Sequence, residues 1–237
     1  NLFYLIAVSS SKLRKSYLVD IYANKALHYY QGTYQMKRCA NCHILLGILY
    51  HRIGELDKSL KSYQLACTIA ENIGDSNILS ISNQNMGKLY SVMNKTDKAI
   101  EFYLKSYHLR HDSSLVKKII PISSLMKEYY KKRDYSAAKK WLEIGLTLSR
   151  QLTPLDSIYV YEFEVYNYLI KNKGLDKSFE KLVLQEIIPF LKERKLYYEK
   201  HIYLQIIANY YFSNRKYKLA AQYFSYASNI LTNIFKD

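Results

Sequence analysis

Glycine and proline are scarce in this sequence, with seven Gly and three Pro among 237 residues. Few breakers and abundant Leu, Ile, Lys and Tyr favour long helices joined by short turns. Cysteine is scarce too. An odd set, Cys39, Cys42 and Cys67, without regular spacing argues against a disulfide framework and for a reducing, cytoplasmic setting. No run reaches about 18 consecutive apolar residues, so no membrane span is expected. Acidic side chains are outnumbered, and the net charge is +15. That excess attracts acidic partners, whether nucleic acid, anionic lipid or protein, without choosing among them. The chain opens on Asn1 with no leader-like segment and reads as a piece of a longer protein.

Catalytic patterns are missing as well. There is no phosphate-binding glycine loop, no HExxH and no GxSxG. Glu162 and Glu164 stand two apart on a helical stretch and do not face each other, so they make no acid–base pair. Cys39-x-x-Cys42 followed by His43 resembles half of a metal or redox site, but a structural zinc site brings a second pair, which is absent. Cys42 reads as a packing residue. The sequence therefore points away from an enzyme, and no metal or other cofactor is expected. Lys117-Lys118, Lys131-Lys132-Arg133 and Lys139-Lys140 form basic clusters, expected on a solvated convex face.

What the sequence does contain is a repeat. Leu46, Gly47 and Tyr50, followed by Ser59, Tyr63 and Ala66, return as Met86, Gly87, Tyr90, Ala99, Tyr103 and Ser106. The shift is 40 residues at all six positions. Weaker copies begin at Ile6-Ala7, Leu125-Met126, Val165-Tyr166 and Ile207-Ala208. Small residues let a first helix (A) approach a second (B), and aromatic residues fill the gaps between hairpins. Six hairpins are expected near 1–35, 40–72, 80–111, 118–151, 158–192 and 200–235. Together they would form one all-α domain over 1–237, a right-handed superhelix of tetratricopeptide type. Gly54 and Gly174 fit left-handed helix ends. Asp57, Asp97 and Asp176 fall where carboxylates can cap B helices.

In such a stack the A helices line the concave surface. The register points inward Asn41, Ile44 and His51, then Gln84, Asn85, Lys88 and Ser91, then Ser123, Lys127 and Tyr130. Phe163, Asn167 and Lys171 follow, and then Gln205, Asn209 and Phe212. The set is rich in amides and has no Asp or Glu. An amide offers both donors and an acceptor, which suits the backbone of an extended peptide. Lys88 and Lys127 can receive a carboxylate. Tyr130, Phe163 and Phe212 offer apolar pockets. The plainer alternative is a solvated face. The last B helix, with Tyr223 and Tyr226 in "AAQYFSYASNIL", invites self-association into a homodimer.

Four stretches, "SISNQNMGKLYSVMNKTDKAIEFYLKSY", "LMKEYYKKRDYSAAKKWLEIGLTLSR", "DSIYVYEFEVYNYL" and "IIANYYFSNRKYKLAAQYF", resemble the repeat domain of intracellular quorum-sensing regulators of Gram-positive bacteria, the Rap and neutral-protease-regulator type. The resemblance covers nearly all of the chain. It implies a receptor for a short reimported signalling peptide, held in the groove by an asparagine of an NxG segment. Asn85 matches that asparagine, and Asn209 is a further counterpart. It also implies an output, DNA binding or control of an acidic response regulator, carried by a module that these residues lack. The alternatives are a constitutive protein-interaction scaffold and part of a response-regulator aspartate phosphatase.

Overall fold

The structure is a computed structural model describing residues 2–110, 114–152, 157–171 and 176–234. Gly174 lies outside the described residues, and so does the Lys171 side chain. Among the described residues there is no strand. Helices α1 (Leu2–Lys12), α2 (Ser16–Gly32), α3 (Met36–Arg52), α4 (Leu56–Asn72), α5 (Ser76–Val92), α6 (Thr96–His108), α7 (Leu115–Lys131) and α8 (Tyr135–Ser149) form four hairpins. Two more follow. Helix α9 (Ser157–Lys171) precedes a B segment made of α10 (Lys177–Lys181), a π-helical stretch Leu182–Ile187 and α11 (Ile188–Glu193). Helices α12 (Tyr197–Ser213) and α13 (Tyr217–Ile234) close the chain. The sequence reads as one continuous domain, but the fold divides into two compact units, Asn1–Asp156 and Ser157–Asp237.

In the first unit each A helix packs on its own B helix, and each B helix packs on the next A helix. The repeated positions explain the close approach. A Cβ on Gly47 would overlap the ring of Tyr63, and one on Gly87 would sit 2.5 and 2.6 Å from ring carbons of Tyr103. The Ser59 hydroxyl donates to the Gly47 carbonyl at 2.8 Å, tying the same pair of helices. Ser80 Oγ and Ser106 Oγ lie 3.2 Å apart in the next hairpin. Cations bind neighbouring A helices end to end. Arg52 donates to the Ser11 carbonyl at 3.0 Å and Lys131 to the Ser91 carbonyl at 2.9 Å, where the negative end of a helix dipole favours them.

The turns are tight. The Gly54 N–H returns to His51 O and the Glu55 N–H to Tyr50 O, with Gly54 left-handed at φ 83°. Six other turns put a side chain in that conformation: Arg14, Tyr34, Asn94, Arg133, Lys195 and Arg215.

Capping departs partly from expectation. Asp176 accepts the N–H groups of Ser178 and Phe179 at 2.8 and 3.2 Å. Asp57 and Asp97 instead lie inside the first turns of their helices, behind Glu55 and Lys95, neither of which makes a side-chain cap. The other working caps are Asp75 and Asp134, at the starts of α5 and α8, bonded to the N–H groups of Ile78 and Ala137.

Asp75 also meets Lys37 at 2.8 Å. The Lys37 ammonium, and then the Ile78 N–H, hold the Asp75 carboxyl below its ordinary range. Asp75→Ala is expected to cost about 1 kcal/mol at neutral pH, the usual worth of such a cap. A depressed pKa stabilises the fold above the unfolded value of about 4, and that gain fades as pH falls through the folded value. Urea titrations of both proteins from pH 7 downward should therefore converge in acid.

In the second unit the core is Val165, Phe179, Leu182, Val183, Ile187 and Leu191 against Tyr203, Ile207, Tyr210, Tyr211 and Ala220. Pro189, just past the π-helical stretch, has no N–H to return to the preceding turn. That accounts for the irregular B segment in the hairpin whose repeat signature is most degraded.

Candidate functional site

The A-helix face of the first unit is where polar side chains gather without being core. On α5 the outward stripe is Ile81, Asn85, Lys88 and Val92, spaced by four, three and four residues. Asn85 is half-buried and forms no hydrogen bond among the described residues. Its helix is fixed from behind by Met86, Gly87 and Tyr90, all buried. Lys88 is exposed. His51 of α3 lies beside it. Burial, and secondarily the Lys88 charge, holds the His51 imidazole below its ordinary pKa, so it is neutral at pH 7.

Gln84 occupies a different place. It is buried, and its Nε2 donates to Ser124 Oγ of α7 at 2.9 Å while its Oε1 is buried without a partner. It therefore joins two A helices rather than lining an open face. Ile44 and Ser123 are also buried. Ser91 donates to Glu128 Oε2 at 2.6 Å. Glu128 is itself buried, and its other carboxylate oxygen accepts no hydrogen bond but lies 3.9 Å from the Lys131 ammonium. A carboxylate thus stands next to the predicted inward set, at a buried position outside it. The register could have shown it: with Leu125 on Met86, Glu128 falls on Leu89, which is fully buried.

Asn41 is half-buried and lines a cavity of about 180 Å³ with Tyr4, Tyr30 and Arg38. The Arg38 guanidinium lies over the Tyr30 ring at 5.3 Å. Lys127 and Tyr130 are half-buried on α7, and Tyr130 packs edge-on against Tyr135 at 5.7 Å. The remaining candidates belong to the second unit. Gln205 and Asn209 are exposed on α12. Phe212 is 58% exposed and meets Tyr217 edge-on at 5.4 Å. Asn167 is half-buried with its Oδ1 unpartnered. Phe163 is 0% exposed and is a core residue, not a pocket wall, because its position on α9 falls on the packed face.

Cys39 and Cys42 pack with Ala26 and Tyr30. Burial pushes the Cys42 thiol up to about 12, so neither a thiolate ligand nor a nucleophile is poised there. Among the described residues no cluster of His, Cys, Asp or Glu is placed to hold a metal, and no helix is long and apolar enough to cross a membrane. Glu164 faces no partner at Glu162. Burial, and then the charge of Glu186 from the π-helical stretch, raises its carboxyl. On the last helix Phe224 and Tyr226 stay exposed.

The tetratricopeptide repeat family model matches residues 38–110. The transcriptional activator NprA of Geobacillus stearothermophilus is 35% identical over 237 residues, 99% of this chain and 58% of that protein. Response regulator aspartate phosphatase A of Bacillus subtilis (strain 168) is 26% identical over 187 residues, 76% of this chain and 49% of that protein. This chain therefore spans about half the length of these relatives, 58% of one and 49% of the other. The crystal structure of NprR in complex with its cognate peptide NprX superposes with a TM-score of 0.75 at 22% identity, over 98% of this chain and 64% of that one.

Proposed function

We propose that this chain, a tetratricopeptide-repeat domain of the type found in NprA, NprR and the Rap proteins, binds a short extended signalling peptide on its A-helix face and thereby controls a transcriptional or response-regulator output. One observation carries the reading. Asn85 holds an unpaired carboxamide at the surface of a helix that Gly87 locks against Tyr103, with Lys88 and neutral His51 beside it. A carboxamide so placed can accept from one peptide N–H and donate to one peptide carbonyl. NprR, whose fold this chain shares, was crystallised with a cognate peptide, which supports the same use of the surface here.

The domain acts by binding rather than by catalysis, in the cytoplasm. Contacts with DNA or a response regulator belong to a module beyond these residues. The rival is a constitutive scaffold. A scaffold keeps its partner whatever peptide is added, whereas a receptor changes partner affinity or oligomeric state when peptide binds. The test is a screen of synthetic penta- to octapeptides by calorimetry, followed by sedimentation with and without the best binder. Saturable one-site binding is expected. A library without a single binder would remove the peptide-receptor reading.

A further inference from the structure

The turns that join A helices to B helices in the first unit carry a second surface. Each is closed by a residue with positive φ: Arg14 at 57°, Gly54 at 83°, Asn94 at 56° and Arg133 at 65°. Glycine meets that backbone without penalty, while any side chain crowds its neighbouring carbonyl. Two of the four positions nevertheless hold an exposed arginine. Local folding does not call for arginine there, so its guanidinium has to be explained by what it faces.

These turns lie along one edge. Arg52 of the second hairpin reaches the Ser11 carbonyl of the first at 3.0 Å. Burial and then the charge of Arg14 hold the Arg52 guanidinium below its ordinary pKa, which places the two cations near each other. Lys131 reaches the Ser91 carbonyl at 2.9 Å and Lys132 reaches Asp97 at 2.7 Å, joining the third and fourth turns in the same way. Arg14, Lys15, Lys95 and Arg133 form no ion pair among the described residues. The Lys131-Lys132-Arg133 cluster thus lies at a turn edge rather than on the convex face expected from the sequence.

Apolar groups stand between these cations. Leu13 is 68% exposed, Ile53 51% and Tyr135 50%, at the first, second and fourth turns. The mixture separates two kinds of partner. A phosphate backbone offers uniform negative charge and nothing for Leu13 or Ile53 to bury against. An acidic polypeptide supplies carboxylates for the guanidinium forks and apolar side chains for the gaps. We infer that the A-to-B turn edge of the first unit docks an acidic protein segment, with Arg14 and Arg133 pairing its carboxylates and the exposed turn residues taking its apolar side chains.

The left-handed backbone makes the test unusually clean. Arg14→Gly with Arg133→Gly removes both forks while easing the turns, so its melting temperature should equal or exceed that of the parent. Lys139→Ala with Lys140→Ala removes the same charge from exposed positions on α8, away from the turns. The probes are a fluorescein-labelled peptide of Glu pairs alternating with Leu and Phe, and a labelled mixed-sequence duplex DNA, both followed by anisotropy. The glycine pair should weaken peptide binding by about tenfold or more, as loss of two charge-assisted contacts requires, and the α8 pair by less than about twofold. Equal weakening by both pairs would show diffuse attraction and overturn the assignment. Duplex DNA binding more tightly than the peptide, or no saturable peptide binding, would overturn it too.

Discussion

Gly87→Ala should destabilise the first unit by about 2 kcal/mol, although alanine is the better helix former. Two effects oppose each other. In an open helix the substitution gains about 1 kcal/mol. Here the new methyl would lie 2.5 and 2.6 Å from ring carbons of Tyr103, against an ordinary carbon–carbon contact of about 3.5–4.0 Å. The ring is buried and cannot swing aside. Helices α5 and α6 must part, and overpacking of this kind costs roughly 1–3 kcal/mol, here near the upper end. The clash therefore outweighs the propensity gain. The chain itself supplies a rescue. In the fourth hairpin Met126 stands where Gly87 does and Leu142 where Tyr103 does, and both are buried. In a Tyr103→Leu background, Gly87→Ala should lose its cost or become favourable. The single tryptophan, Trp141 of α8, packs edge-on against Tyr107 at 5.0 Å and reports unfolding of this unit by fluorescence in urea. An equal cost of Gly87→Ala in both backgrounds would mean the ring is not the obstacle.

That glycine–tyrosine pairing is also why the fold was legible. Residues in direct contact across a hairpin constrain each other's size, so a repeat copies both partners at once. The coincidence of six positions at 40 residues follows. Features governed by one residue alone were harder to read. Left-handed turns are announced by glycine, and among the described residues only Gly54 and Gly74 announce them; Arg14, Tyr34 and Arg133 adopt the conformation because the hairpin bonds on either side impose it. Asp75 and Asp134 cap helices, yet in sequence they look like ordinary polar linkers. Glu128 reads as one more surface charge in "MKEYYKK", since nothing local shows that Ser91 will lie 2.6 Å from it. The site was legible to the same degree. The repeat register is sufficient to put Asn85 and Lys88 on one shared stripe of α5, off the face that packs on α6. It does not separate that stripe from the neighbouring one, where Gln84 turns to Ser124 and closes a helix contact.

This separation makes Asn85→Ala the decisive substitution for the proposed receptor. Its carboxamide has no partner among the described residues, so truncation breaks no internal hydrogen bond. Asn85 is only half-buried, and alanine is the stronger helix former, so the unfolding midpoint should stay or rise slightly. Binding should behave differently. A bound peptide would shield the amide from water, and truncation would leave a peptide N–H and carbonyl unpaired, costing about 1–3 kcal/mol. That is roughly 5- to 150-fold in Kd. Gln84→Ala is the necessary contrast. It removes a buried hydrogen bond between α5 and α7 and should lower stability, with any loss of affinity following from a loosened α7. Calorimetry with a peptide from the screen, run beside urea unfolding, distinguishes the two. An Asn85→Ala protein that binds the peptide as tightly as the parent would show that the backbone clamp lies elsewhere. An Asn85→Ala protein that has lost both affinity and stability would place that side chain in the scaffold instead.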